Sequence, residues 1–351
     1  MVKREGGFLK GLWTRAAAAS VGLLLLGSAV SVVSPVTASA KTQLKVGLVT
    51  DTGGLNDHGF NHLSYLGLLQ AEKVLHIHGS VVQSQQQSDY VPNLTHFAQA
   101  GYNLVIAVGF LMDGAVKQVS KEYPHTHFAI IDDPISNEKN VASAIFETQQ
   151  CGYLVGVLAG LVEKDHALPH LGNTNTFGTV GGISIPPVNT YIAGYIQGIK
   201  RVDPTAKILL GYTGNFNDEA AGEEMAQSQH AAGANIIFQV AGGTGLGVIT
   251  AAKKDNFYAI GVDANQNYLA PHHVITSAEK GVKQAVFQII KNLDTNHWKS
   301  GILYFNLADG GVGYGKPISA IPAKIVREVA KIRKEIIQGK IKISPNIPKK
   351  Y

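Results

Sequence analysis

Ten short apolar runs of five to eight residues recur along the chain, alternating with segments that carry apolar residues at three-four spacing. Runs of this length, rich in Val and Ile, read as strands, and the three-four segments read as amphipathic helices. Strands that alternate with helices must lie parallel, because each helix carries the chain back to start the next strand. Parallel strands are covered on both faces, so they read as continuous apolar runs rather than alternating ones. The first set is "LKVGLVTD" (44–51), "SVVQSQ" (80–85), "NLVIAVG" (103–109), "HFAIID" (127–132) and "VASAIF" (141–146). The second is "TVGGIS" (179–184), "KILLGYTG" (207–214), "NIIFQVAG" (235–242), "YAIGVDA" (258–264) and "VITSA" (274–278). Segments such as "YVPNLTHFAQAG" and "EAAGEEMAQSQHAAG" end in glycine, a helix stop. The expected fold is α/β, with two doubly wound parallel-sheet lobes.

Many strands run out into polar or glycine-rich loops: "DTGGLNDHGF", "VGFLMDG", "IDDP", "YTGNFND", "AGGTG" and "GVDANQN". Ligands of open parallel sheets collect at the carboxyl ends of the strands. Two such rims facing each other make a cleft, and the site is expected there.

The N-terminus has another job. Lys3, Arg4, Lys10 and Arg15 precede or flank the apolar "AAAASVGLLLLGSAVSVVSPV", and Ala38-Ser39-Ala40 offers a small-x-small cleavage site. This is an export signal over 1–40, either cleaved or kept as a single N-terminal anchor. No other stretch approaches about 18 uninterrupted apolar residues, the length a spanning helix needs. The chain is expected outside the cytoplasm, secreted or at the outer face of the cell membrane. The remainder divides into an N-terminal lobe over 41–150, completed by roughly 275–310, and a C-terminal lobe over 151–274, completed by roughly 311–351. The full chain has 30 Lys+Arg against 25 Asp+Glu. Four of those bases and one acid lie in the signal, so the rest is nearly neutral and no nucleic-acid partner is expected. The basic end, "KIRKEIIQGKIK" to "NIPKKY", reads as a solvated helix face and tail, or as a weak attraction for anionic lipid. Cys151 is the sole cysteine. That excludes an intrachain disulfide and a dithiol, and its apolar setting in "CGYLVGVLAG" suits a small core residue.

Catalytic patterns do not assemble. "GGTGLGV" at 242–248 has Val248 where a dinucleotide loop needs its last glycine, and no phosphate loop of the G-x-x-x-x-G-K-[ST] kind occurs. Asp51, Asn56, Asp57 and His58, or the pairs His76/His78 and His272/His273, match no metal spacing. A G-x-S-x-G elbow is absent. The paired acids Asp132-Asp133 end a strand, where an acceptor for ligand hydroxyls fits as well as acid/base work. No enzyme activity, cofactor or metal is expected.

A ligand cage does assemble. Phe60 and Phe216 each sit in a loop at a helix start, one per lobe, flanked by Asn56, Asp57 and Asn61 and by Asn215, Asn217 and Asp218. Two facing aromatics can sandwich a flat ring, each stack adding about 0.5–1.5 kcal/mol. Asp51, Asp263 and Lys280 can bond the ligand's polar groups at roughly 1.5–3 kcal/mol each. A micromolar site needs about 8 kcal/mol, which this inventory covers. Core packing remains open for the two phenylalanines, and Asp57 and Asp218 read as helix N-caps.

"VGLVTDTGGLNDHGFN", "VGF", "FAIID", "GYLVGVLAG", "YTGNFNDEAAGEEMA", "AGGTGLGV", "AIGVDANQ" and "TSAEK" occur in that order. Together they resemble the basic membrane protein family, substrate-binding proteins of bacterial ABC importers that include purine nucleoside receptors. The resemblance runs from about Lys45 to the C-terminal "GKIKI". It implies a type I periplasmic-binding-protein fold, two lobes joined by hinge strands with the ligand cleft between them. It also implies that Asp51 binds the base, that Phe60 and Phe216 stack on it, and that Asp263 and Lys280 hold the ribose. Gly242 and Gly243 would give close backbone contact. Asn56, Asn61, Gly109, Phe110 and Asp132 complete the candidate site from the same motifs. The implied partners are a nucleoside and an ABC permease in the membrane, with the protein a monomer. A sugar or other small polar ligand, a surface sensor of the same fold and a nucleoside hydrolase are the competing readings. Two departures stand out: His58-Gly59 replaces the family's usual lysine and serine before the first Phe, and "SAVSVVSPVTASA" lacks the cysteine that anchors many members by lipid.

Overall fold

The computed structural model describes residues 43–351, so the export signal and its Ala38-Ser39-Ala40 site lie outside the described residues. The chain begins with β1 (Lys45–Thr50), α1 (Phe60–Leu75), β2 (His78–Gln83), α2 (Tyr90–Gln99), β3 (Leu104–Val108), α3 (Asp113–Glu122), β4 (His127–Ile131) and β5 (Val141–Phe146). It continues through α4 (Thr148–Lys164), β6 (Thr176–Gly181), α5 (Pro186–Val202), β7 (Lys207–Tyr212), α6 (Glu219–Ala231), β8 (Ala234–Val240), α7 (Thr244–Asp255) and β9 (Tyr258–Asp263). The last elements are β10 (Val274–Lys280), α8 (Val282–Asp294), β11 (Gly301–Phe305), β12 (Val312–Tyr314) and α9 (Ala323–Ile337).

Two six-stranded sheets result, ordered β11-β5-β4-β3-β1-β2 and β12-β10-β9-β8-β6-β7. Every pairing in the first is parallel. In the second only β12, against β10, is antiparallel. The central strands are buried along their whole length, β3 and β8 among them, as strands covered on both faces must be. The ten strands read from the sequence are all present, within about three residues of the expected bounds.

Two features differ from the sequence reading. Strand β10 belongs to the second sheet, paired with β9, rather than completing the first lobe as 275–310 was expected to do. The connection from β9 is short and holds only a turn of 3-10 helix at Asn267–Leu269, so the strand is laid beside its predecessor. The crossing back comes later: α8 packs on α1, where a Cβ on Gly67 would stand 2.7 Å from the carbonyl oxygen of Lys283, and β11 joins β5. Strands β11 and β12 were not anticipated: both are short, five and three residues, and largely half-buried, and the sequence reading passes over β11 although Ile302 to Phe305 are apolar.

Glycine sets the geometry of the second lobe's helices. Helices α4 and α5 meet backbone to backbone: a Cβ on Gly156 would lie 2.3 Å from the carbonyl oxygen of Tyr195, and one on Gly194 would lie 2.1 Å from that of Gln149. Only residues without a side chain permit that approach. The contact fixes α5 and with it Tyr191, which faces the cleft. Cys151 lies on α4, fully buried, its thiol donating to the Thr148 carbonyl at 3.2 Å. Burial pushes the thiol's pKa far up, so it is a core residue and no nucleophile. At the C-terminus, α9 buries Ile325, Val329, Ile332 and Ile336 on one face and turns its basic residues outward. Among the described residues no helix is long and apolar enough to cross a membrane.

Candidate functional site

The carboxyl ends of the two sheets face each other across a cleft lined from both sides, the placement that ligands of open parallel sheets favour. Its walls carry Asp51, Phe60, Asn61, Gly109, Phe110 and Asp132 from the first sheet's loops, and Phe216, Gly242, Asp263 and Lys280 from the second's. Asn56 is exposed and with Gly243 lines a neighbouring groove. Gly243 backs the Phe216 loop there, its bare Cα opposite the Phe216 carbonyl.

The charged half of the cleft is built on strand ends. Lys280 closes β10, Asp263 closes β9, and Asp132 follows β4. Lys280 Nζ lies 2.5 Å from Asp132 Oδ2 and 3.7 Å from Asp263 Oδ1, with all three side chains under a tenth exposed. The Tyr191 hydroxyl donates to Asp263 Oδ1 at 2.9 Å. Burial works against the Lys280 ammonium, but the Asp132 and Asp263 carboxylates outweigh it and hold its pKa above the usual value. Aromatic faces complete the cation's shell: Nζ is 4.4 Å from the Phe60 ring centre, 5.3 Å from that of Phe146 and 5.7 Å from that of Tyr191. Asp132 and Asp263 both have left-handed backbone, φ 74° and 61°. Aspartate tolerates that region better than most residues, and such backbone concentrates at functional sites. The two lobes thus present matching strand-end carboxylates to one shared cation.

The other half is aromatic, with the Asp51 carboxylate beside the rings. Asp51 follows β1. Its Oδ1 accepts from the Gly53 amide at 2.9 Å and from Asn61 Nδ2 at 2.7 Å. Burial raises its pKa to about 6, against the opposing pull of those two hydrogen bonds. Gly109, at φ 127°, lets this carboxylate reach the cleft: a Cβ there would stand 3.0 Å from Asp51 Oδ2 and 3.5 Å from a Phe60 ring carbon. Phe60 opens α1, whose first turn is capped by Asp57, accepting from the amides of Gly59, Asn61 and His62 at 2.8–3.0 Å. Asp218 caps α6 through the Ala221 amide. Both aspartates are the helix caps the sequence suggests, though Asp57 also lines the cleft. Phe216 is held from behind, its carbonyl accepting from the Thr244 amide, while the bare Cα of Gly182 makes room for its ring.

Sequence reasoning missed Tyr191 and the apolar floor formed by Leu111, Ile185, Pro187, Val188 and Val240. Tyr191 lies inside a helix rather than in a strand-end loop. "GGISIPP" reads only as a turn, although two prolines opening a helix after a strand mark another stretch of the same rim. A second bridge joins the two lobes beside the cleft: His58 Nδ1 and the Tyr268 hydroxyl share a 2.8 Å hydrogen bond, and Gln266 Nε2 donates to the His58 carbonyl at 3.3 Å. Among the described residues no group of three or more His, Cys, Asp or Glu side chains is arranged to hold a metal ion.

Comparison with known proteins agrees with this architecture. A family model described as ABC transporter substrate-binding protein PnrA-like matches residues 44–346. A Lactococcus lactis protein called ABC transporter nucleoside-binding protein BmpA is 32% identical over 325 residues, spanning 86% of this chain and 90% of its own. Basic membrane protein A of Borreliella afzelii is 31% identical over 309 residues, 86% of this chain and 92% of its own. Among solved structures, a solute-binding protein of an Aeropyrum pernix ABC transporter superposes with a TM-score of 0.80 at 25% identity, covering 88% of this chain and 94% of its own.

Proposed function

The chain belongs to the PnrA-like family of ABC transporter substrate-binding proteins, and on that premise we propose that it captures a nucleoside, with a purine favoured, between its lobes and delivers it to a membrane permease outside the cytoplasm. The cleft does no chemistry on its ligand. The observation that carries this reading is the division of one cavity into an aromatic half and a charged half. Phe60 and Phe216 offer flat apolar faces to a base, with Asp51 at its edge. Asp132, Asp263, Lys280 and Tyr191 offer the dense donors and acceptors that ribose hydroxyls need. One face of Phe60 is covered by Lys280, so a base uses the other. Because both lobes contribute to each half, ligand contacts favour the arrangement in which they meet, a population shift toward closure. The name of the Lactococcus relative points the same way.

Calorimetric titration tests this, on protein unfolded and refolded to strip carried-over ligand. Adenosine, guanosine, inosine, uridine and ribose are added in turn. Micromolar or tighter binding of nucleosides with none for ribose is expected. Binding of ribose alone would make the protein a sugar receptor, and release of free base during incubation would make it a hydrolase.

A further inference from the structure

We propose that the inward oxygen of Asp51 selects between two kinds of purine by its own proton: ionised, it takes a base whose edge offers a ring N–H; protonated, it takes one whose edge offers a bare ring nitrogen. This rests on the nucleoside reading above and deepens it. The geometry is asymmetric. Oδ1 is saturated by the Gly53 amide and Asn61 Nδ2, which fixes the carboxyl plane. No protein hydrogen bond to Oδ2 is formed among the described residues, and Oδ2 faces the space that the missing Gly109 side chain leaves open. It is thus the polar atom that meets the edge of a ring lying between Phe60 and Phe216.

The charges around Asp51 leave its proton free to come and go. Lys280 is engaged by Asp132 and Asp263, so among the described residues no cation pairs with Asp51. Asp57, from the same loop, is held by three backbone amides. Asp132, beyond β4, adds to the negative field. From α2, the Tyr90 hydroxyl is pushed up to about 12 by burial and by Asp51 itself, so it is neutral. Burial has already moved the Asp51 titration to about 6, where modest acidification changes its state.

Hypoxanthine and guanine carry hydrogen on ring N1, which donates to ionised Oδ2 with no change in protonation. Adenine N1 carries a lone pair, which would face the carboxylate's own lone pairs. In that pose only Oδ2–H satisfies it, so adenosine held through N1 above the titration takes up one proton from solvent, whereas adenosine held through its exocyclic N–H takes up none. The ratio of inosine to adenosine affinity is therefore expected to rise with pH by up to roughly tenfold per unit.

Titration calorimetry of inosine and adenosine at pH 5 and pH 8, each in two buffers of different ionisation heat, reads both quantities. The expected result is a ratio rising at least about tenfold across the range, with adenosine binding at pH 8 taking up close to one proton. Asp51→Asn donates and accepts without titrating, and flattens the ratio. Nucleoside binding with a ratio that moves less than about threefold overturns this inference and leaves the function standing, as does a ratio equally pH-dependent in Asp51→Asn. Absence of nucleoside binding at both pH values overturns both.

Discussion

Lys280 ends β10 in the second sheet, and its ammonium nitrogen sits 2.5 Å from a carboxylate oxygen of Asp132, the residue that follows β4 in the first. One buried ion pair therefore spans the cleft, and Asp263 makes it a triad. Such a group costs desolvation that its mutual attraction repays only while it is complete.

Lys280→Met leaves two carboxylates buried without a counter-charge. Removing one partner of a buried pair costs about 3–5 kcal/mol. A fall of that order in unfolding free energy at pH 7 is expected, read by denaturant titration. It should shrink at low pH, where protonation of Asp132, whose pKa burial raises, relieves part of the uncompensated charge. A stability unchanged at pH 7 would mean that the triad is open to water.

Phe60 and Phe216 differ in what their loss should do. Phe60 supports Lys280 as well as facing the cleft, so Phe60→Ala is expected to lower both stability and nucleoside affinity. Phe216 stands in a half-buried loop, and Phe216→Ala is expected to cost mainly affinity. Each loss should be roughly 10- to 100-fold in Kd, combining the stack with the apolar area exposed. Equal affinity in both variants and the parent would remove the aromatic pair from the site.

Asp51 sets a pH dependence of stability with a definite sign. Its folded pKa, about 6, lies above the unfolded value near 3.9. The folded state holds the proton more tightly between those values, so this group makes stability fall as pH rises from about 4 to about 6. Above 6 the penalty is complete, on the order of 3 kcal/mol at most. Asp51→Asn keeps an oxygen for the Gly53 and Asn61 hydrogen bonds while removing the charge. It is expected to be more stable than the parent at pH 8 and equal to it below pH 4, in unliganded protein, by thermal unfolding.

Legibility in the sequence followed burial pattern. Strands covered on both faces, such as "NLVIAVG", declare themselves because every residue must be apolar. The edge strand β11 is passed over for its shortness, although Ile302 to Phe305 are apolar, and its Tyr304 is 62% exposed. The same contrast holds at the cleft. Asp51, Asp132, Asp263 and Lys280 are legible as polar residues ending apolar runs, the position where a parallel sheet exposes its rim. Their mutual geometry is not, because Lys280 and Asp132 lie 148 positions apart. Only the packing of two sheets makes them a pair. Tyr191 carries no such mark, lying inside a helix, and it is core except for the hydroxyl it turns to Asp263.

The glycine seam between α4 and α5 makes a strong packing prediction. Gly156→Ala would put a methyl group about where the Tyr195 carbonyl stands, and backbone cannot yield as a side-chain tip can. Overpacking of this kind costs about 1–3 kcal/mol or more. It should also displace Tyr191, so a loss of ligand affinity accompanying the loss of stability is expected. Gly114→Ala serves as the contrast, since nothing stands within 4 Å of a Cβ there. In a helix it should be neutral or stabilising by about 0.5–1 kcal/mol.

His58 occupies a left-handed backbone position, φ 50°, and reaches from the first lobe's opening loop to Tyr268 of the second. Tyr268 is 60% exposed, so its hydroxyl would be satisfied by water if the lobes parted. Its bond to His58 is therefore worth only the ordinary net amount, about 0.5–1.5 kcal/mol. The bond can form only when the lobes meet, so that amount belongs to the closed arrangement and to ligand retention. Tyr268→Phe removes it while leaving the Gln266 contact and the aromatic ring in place. The expected outcome is nucleoside dissociation faster by roughly two- to tenfold, with association and unfolding stability unchanged, measured by stopped-flow release of a fluorescent nucleoside. A slower association instead would place the His58–Tyr268 contact in the open protein, as a barrier to entry rather than a latch behind the ligand.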